Sequence, residues 1–225
     1  NLGGGTIKVI GSALTTGTDL NATLLTGTSS TIDTNAFGAT FNGVLSGPGA
    51  LVKAGLGTLT LTGTNTYQGG TTLQAGTIAV GNAGALGTGA LTFAASGELQ
   101  FDAALTVANA VAIGGGFIAT LDSQAFNATL SGPITGAGGL VKIGSGQVTL
   151  GHAGNAYTGG TRVEAGRLVA GVDGAFVENT AYVVNGGTLD LDSFDLTMSQ
   201  LGGTGGAVEL GSALLTLDQD VDTTY

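Results

Sequence analysis

Hydrophobic and polar residues alternate with a period of two in short runs along the whole chain. Thr58-Leu59-Thr60-Leu61-Thr62, Thr77-Ile78-Ala79-Val80, Glu98-Leu99-Gln100-Phe101-Asp102 and Thr188-Leu189-Asp190-Leu191-Asp192 are the plainest. A period of two sends alternate side chains to opposite faces of a strand, so each run predicts a strand with one face in a core and one in solvent. The runs last about four to six residues and close on Gly, Asn, Asp or Ser, which supply turn chemistry. Helical spacing is sustained nowhere, and glycine recurs in every segment, at about 1 kcal/mol per residue relative to Ala in a helix interior. The pattern predicts an all-β chain.

The runs also repeat. Residues 31–61 align without a gap on residues 120–150, at an offset of 89 positions, so that Asp33, Phe37, Leu51, Val52, Lys53, Gly57 and Leu61 recur as Asp122, Phe126, Leu140, Val141, Lys142, Gly146 and Leu150. One inserted residue in Gly151-His152-Ala153-Gly154 then moves the offset to 90. Beyond it Asn65-Thr66-Tyr67-Gln68-Gly69-Gly70-Thr71 matches Asn155-Ala156-Tyr157-Thr158-Gly159-Gly160-Thr161. The copies span 31–82 and 120–172, and a partial third begins near 187 and runs to 225, with Leu191-Asp192-Ser193 set against Leu121-Asp122-Ser123.

Short strands cannot bury an apolar face alone, whereas coils stacked about 4.8 Å apart pair every strand with the coils on either side and enclose a continuous core. With roughly 20 to 25 residues per coil, the 225 residues make about ten coils, a rod on the order of 50 Å long, and the repeat is about four coils. A β-sandwich uses similar strands and is the rival fold, but it gives no reason for an 89-residue repeat. The expected architecture is one continuous parallel β-solenoid over 1–225.

Composition sharpens this. There are 44 Gly and 2 Pro, without a Gly-X-Y period, so collagen is excluded, while a mean hydropathy of +0.40 argues against disorder. With no Cys, thiolate chemistry and disulfides are absent. Fifteen acids against five bases give a net charge of −10, which disfavours a nucleic-acid partner or an anionic membrane surface. No apolar run reaches the roughly 18 to 20 residues of a membrane-spanning helix. The N-terminus, Asn1-Leu2-Gly3-Gly4-Gly5, has no Met or apolar leader and reads as a piece of something longer.

The stretch from Gly47-Pro48-Gly49-Ala50-Leu51-Val52-Lys53 through Gly57 and Asn65-Thr66-Tyr67-Gln68-Gly69-Gly70-Thr71 resembles the passenger-associated transport repeat of bacterial autotransporters. The copy from Gly138-Gly139-Leu140-Val141-Lys142 through Gly146 and Asn155-Ala156-Tyr157-Thr158-Gly159-Gly160-Thr161 is equally similar. The resemblance implies a right-handed parallel β-helix exported to the Gram-negative surface, with the shared residues in structural roles. It implies a rigid stalk that presents adhesive regions and supports its own folding-coupled export, or a segment that is itself the adhesin. Implied partners are a host-surface or matrix ligand, another copy of the chain, and the rest of a longer passenger with a C-terminal outer-membrane barrel. It implies no enzyme and no cofactor.

Candidate chemistry is sparse. His152, the single histidine, has no second His or Cys beside it to complete a common metal site and reads as an exposed loop residue. Lys53 and Lys142, at equivalent positions, read as a solvent-facing ladder or as carboxylate partners. Acids gather after Arg167, and alternation puts Asp190 and Asp192 on one strand face opposite Leu189 and Leu191. Asp218, Asp220 and Asp222 repeat the spacing. Such a face offers oxygen ligands to Ca²⁺, but the nonapeptide of calcium-binding β-rolls is absent, so a solvated acidic face is preferred. A β-helical polysaccharide lyase would need clustered bases, and Arg162 and Arg167 sit in a repeat segment. Gly114-Gly115-Gly116 and Gly202-Gly203-Thr204-Gly205-Gly206 lack the ending of a phosphate loop and read as corners.

Overall fold

A computed structural model describes residues 1–18 and 20–218. Among them there is no helix, and every paired strand is parallel to its neighbours, so the chain is a β-solenoid of about ten turns. Each coil visits three faces. The first face has eight strands, among them Ser29–Asp33, Ala50–Ala54, Thr71–Leu73, Leu91–Phe93, Val111–Ile113, Ile134–Gly136 and Ala156–Tyr157. The second has eleven and runs nearly the whole length, through Thr58–Leu61, Thr77–Val80, Gly97–Phe101, Ile118–Asp122, Gly139–Ile143, Thr161–Val163 and Thr180–Val184. The third is a two-stranded piece, Ala22–Thr23 with Leu45–Ser46, and further on a six-stranded sheet that includes Ala128–Leu130, Gln147–Leu150, Arg167–Ala170, Thr188–Asp190 and Ala207–Glu209.

Register follows from the alternation. Leu59, Ile78, Leu99 and Leu121 pair in succession, one per coil, and point inward; Leu61, Val80 and Phe101 form the next column. On the first face Leu51, Thr71, Leu91, Val111 and Ile134 stack in the same way, all buried. A coil therefore takes about 20 residues, and columns of like apolar side chains fill an unbroken core. The outward column beside it, Thr31, Val52, Thr72, Thr92, Ala112 and Thr135, carries no charge.

The repeat is not a whole number of coils. Ala50–Ala54 lies on the first face, but its sequence counterpart Gly139–Ile143 lies on the second; Thr58–Leu61 lies on the second, and Gln147–Leu150 on the third. Likewise Leu45–Ser46 is on the third face and Ile134–Gly136 on the first. The second copy is thus displaced by four coils and one face, about a third of a turn around the axis. With about 20.5 residues per coil, 89 residues are four and a third coils, where the sequence alone gave about four.

Candidate functional site: inter-coil locks in the repeat

The residues common to the two copies converge on one construction. Asn65, buried just before Tyr67, accepts from the Leu45 amide of the preceding coil at 2.7 Å and donates to the Ala85 carbonyl of the following coil at 2.5 Å. Asn155 does the same: its Oδ1 accepts from the Ile134 amide at 2.8 Å and its Nδ2 donates to the Ala175 carbonyl at 2.7 Å. One carboxamide offers an acceptor and two donors, so a single side chain ties three coils. Tyr67 and Tyr157 are completely buried, and their hydroxyls meet Thr71 and Thr161, four residues on, at 2.5 and 2.7 Å. Burial raises both phenols, Tyr157 to about 12, with the threonine contact partly opposing the shift.

The glycines between these residues let backbones touch. The amide of Gly57 donates to the Asn35 carbonyl at 2.9 Å, and a Cβ at this position would lie 1.6 Å from the carbonyl oxygen of Phe37. Gly146 repeats both features against Gln124 and Phe126, with the Cβ approach at 2.0 Å. Gly69 and Gly159 press on Gly49 and Gly138, while Gly70 and Gly160 take φ of +80° and +78° at the corner that follows.

Lys53 and Lys142 are neither a solvent ladder nor carboxylate partners. Both are fully buried, in the inward columns Ile32–Lys53–Leu73–Phe93 and Leu99–Leu121–Lys142–Val163. Lys53 Nζ donates to the carbonyls of Ala54 (3.0 Å), Gly55 (2.6 Å) and, one coil on, Ala75 (3.0 Å). Lys142 Nζ donates to Ile143 (2.6 Å), Gly144 (2.9 Å) and Ala165 (3.2 Å), and to Ser123 Oγ of the preceding coil at 2.8 Å. The stem packs among apolar side chains while corner carbonyls, splayed where Gly55 and Gly144 turn at φ +78°, take the protons. Burial lowers both ammonium groups to about 8, against the opposing pull of Asp33 and Asp122.

The acids shape the same corner. Asp33 Oδ1 accepts from the Asn35 amide and Asp122 Oδ1 from the Gln124 amide, each at 2.8 Å, and Asn35 and Gln124 both have positive φ. A third such turn begins at Asp190, whose Oδ1 accepts from the Asp192 amide at 3.0 Å. The counterpart of Asp122 is therefore Asp190, not Asp192. It also follows that Asp190 and Asp192 do not share a strand face: the strand ends at Asp190, which is buried, and Asp192 sits exposed on the turn at φ 46°. Asp190 pairs with Arg167 at 2.7 Å, and Arg167 also reaches Glu209. Among the described residues no group of three or more His, Asp or Glu gathers as a metal site; Asp218 lies just past the strand Leu215–Leu217, and Asp220 and Asp222 fall outside the described residues. Arg162 pairs with Glu164. His152 is half-buried rather than exposed: its carbonyl accepts from Asn155 Nδ2 at 3.1 Å, and its Nδ1 is enclosed without a hydrogen-bond partner.

The comparisons with known proteins fall on the same residues. The passenger-associated-transport-repeat family matches residues 51–80 and 140–170, the two stretches that contain the Lys, Gly, Asn and Tyr positions above. The chain is 37% identical over 232 aligned residues to the adhesin BmaC autotransporter of Brucella suis biovar 1 (strain 1330), covering 91% of this chain. It spans 7% of the length of that relative. No solved structure matches the chain. The two family matches, the similarity over nearly the whole chain and the parallel solenoid agree: the chain is a stretch of an autotransporter passenger built on passenger-associated transport repeats, and so belongs to a Gram-negative cell-surface protein.

Proposed function

We propose that this segment is a stiff spacer in an adhesive passenger, holding adhesive regions away from the outer membrane and supporting export by stacking coil on coil as the chain emerges. The observation that carries this reading is the direction of the shared side chains. Lys53, Asn65 and Tyr67, with Lys142, Asn155 and Tyr157, point into the rod and join successive coils, so what the two copies have in common is cohesion. Their displacement by one face supports it, since residues repeated with a third of a turn between copies do not line up as a binding stripe. Stacking that begins at one end and propagates offers a pull on the chain without nucleotide hydrolysis. The short connections and the sparse bases, five against fifteen acids, favour a role without catalysis. The relative is an adhesin by name, which favours adhesion as the task of the larger protein.

A second reading, favoured by the uncharged outward column from Thr31 to Thr135, makes this segment itself the adhesive surface, toward a host or matrix ligand or another copy. One experiment separates the two. Cells display the passenger either intact or with outward positions of residues 50–137 exchanged for Ser and Asn while every inward position is kept. Unchanged adherence and surface display support the spacer; lost adherence with unchanged display supports the adhesive surface and overturns the spacer.

A further inference from the structure

We propose that Lys53 and Lys142 act as register pins, fixing which residues of neighbouring coils pair. Because side chains alternate with a period of two, sliding a strand by two residues against its neighbour keeps every apolar side chain inside and every polar one outside. On the second face, Thr161–Val163 moved by two against Gly139–Ile143 would set Leu140 rather than Lys142 opposite Val163, leaving burial unaltered. Burial alone does not forbid the slip. The ammonium does, because its acceptors come from three coils: Ser123 before, Ile143 and Gly144 on its own, and Ala165 after. Moving either neighbour by two residues takes an acceptor away from a buried charge, which is strongly unfavourable in a low-dielectric interior.

The third turn shows the same corner without the pin. Its first backbone contact is equivalent, the Leu191 amide donating to the Glu209 carbonyl as Thr34 does to Ala54 and Ser123 to Ile143, while Leu210 stands where Gly55 and Gly144 turn and the positive-φ glycine comes one residue later, at Gly211. In that register Val208 stands opposite Leu189 where Lys142 stands opposite Leu121 and Lys53 opposite Ile32. Leu191, fully buried, takes the place of the hydroxyl residues Thr34 and Ser123. The ammonium and its hydroxyl neighbour have been exchanged together for two apolar groups, so the corner closes without a buried ammonium. A buried lysine is therefore not what makes the turn, and its distinctive property is the demand it places on alignment.

The test uses the absence of native cysteine. Val141 and Arg162 are paired outward residues, and a directly opposed pair is within disulfide reach, whereas Val141 and Glu164, two residues further on, come within reach only after a slip. Val141→Cys/Arg162→Cys and Val141→Cys/Glu164→Cys are each built into the 225-residue chain with Lys142 and with Ser123→Leu/Lys142→Val, which copies the apolar pair Leu191 and Val208 of the third turn. Both cysteine pairs sacrifice the Arg162–Glu164 bridge, and the second also gives up the two hydrogen bonds from Asn185 Nδ2 to Glu164, so each pair is compared with itself across the two backgrounds. With Lys142, oxidation should close the first pair at least tenfold more than the second. In the Ser123→Leu/Lys142→Val background the second pair should rise at least tenfold, with a cooperative melting transition retained. An unchanged ratio overturns the proposal. So does loss of the folded state in that background, which would make the lysine a requirement for folding.

Discussion

Replacing Asn155 by Ala removes a side chain that ties Ile134–Gly136, its own coil and the Ala175 segment together. The Ile134 amide, bonded at 2.8 Å, and the Ala175 carbonyl, bonded at 2.7 Å, lose their partner at a site where Asn155 itself is 7% exposed. A buried group left unpaired costs about 1 to 3 kcal/mol, so two give about 4 kcal/mol; the third contact, to the half-buried His152 carbonyl, adds little because water can replace it. Asn127→Ala is the control: its Oδ1 accepts from the Gln147 amide at 3.1 Å in an exposed setting, and its loss should cost about 0.5 kcal/mol. Urea titration of both variants gives the difference in stability. Hydrogen exchange at the Ile134 amide locates it, because about 4 kcal/mol corresponds to roughly a thousandfold loss of protection if opening is local. An Asn155→Ala variant that costs no more than Asn127→Ala and leaves Ile134 protection unchanged would refute the inter-coil role of Asn155.

Lys53 is lowered to about 8 in the folded chain and titrates at 10.5 when exposed, so across pH 8 to 10 unfolding takes up a proton and stability rises with pH. Relative to Lys53→Met, the intact chain should gain up to about 1.4 kcal/mol per pH unit over that range, and a difference that stays flat or falls in chemical denaturation contradicts the burial argument. Gly57→Ala puts a methyl carbon 1.6 Å from the Phe37 oxygen and should destabilise by about 3 kcal/mol or more, whereas Gly17→Ala, with open space around its Cβ, should change the melting temperature by no more than a degree or two. Asp190 and Glu209 are register partners of like charge, and Arg167 bridges them. Arg167→Ala should therefore lower stability by about 1 kcal/mol at low salt and by less at 1 M salt, read as melting temperatures at the two ionic strengths.

Much of this was written in the alternation. Leu59, Ile78 and Leu99 announce their columns, and the repeat announces stacked coils, because strands of four or five residues have no other way to cover an apolar face. The lysines depart from the expected solvent-facing position for a physical reason. In Leu51-Val52-Lys53 the period of two puts Lys53 on the same side as Leu51, inward, but the usual cost of burying a charge argues the opposite. What resolves the conflict is three carbonyls from two coils, a non-local arrangement that no local run displays. Asp190 failed differently: the alternation in Leu189-Asp190-Leu191 is genuine, but the chain turns at Asp190, so the same spacing ceases to mean the same face. The fraction of a coil left over in each repeat was likewise out of reach, since coil length is set by how corners close.

That leftover third of a turn has a mechanical consequence. If the two locks stood on one face, the side opposite them would be a seam, held by strand pairing alone, along which a bending or peeling load would concentrate. With Lys53 on the first face and Lys142 on the second, and the Asn65 and Asn155 ties on the third and the first, the two copies reinforce different sides of the rod, and a crack that opens at one copy's weak side meets the other before it has run half the described length. A third copy at the same spacing would reinforce the remaining side, and a fourth would return the reinforcement to its starting side after thirteen coils, about 62 Å along the axis. Such a shaft resists bending alike in every direction, as a twisted cable does and a ribbon does not.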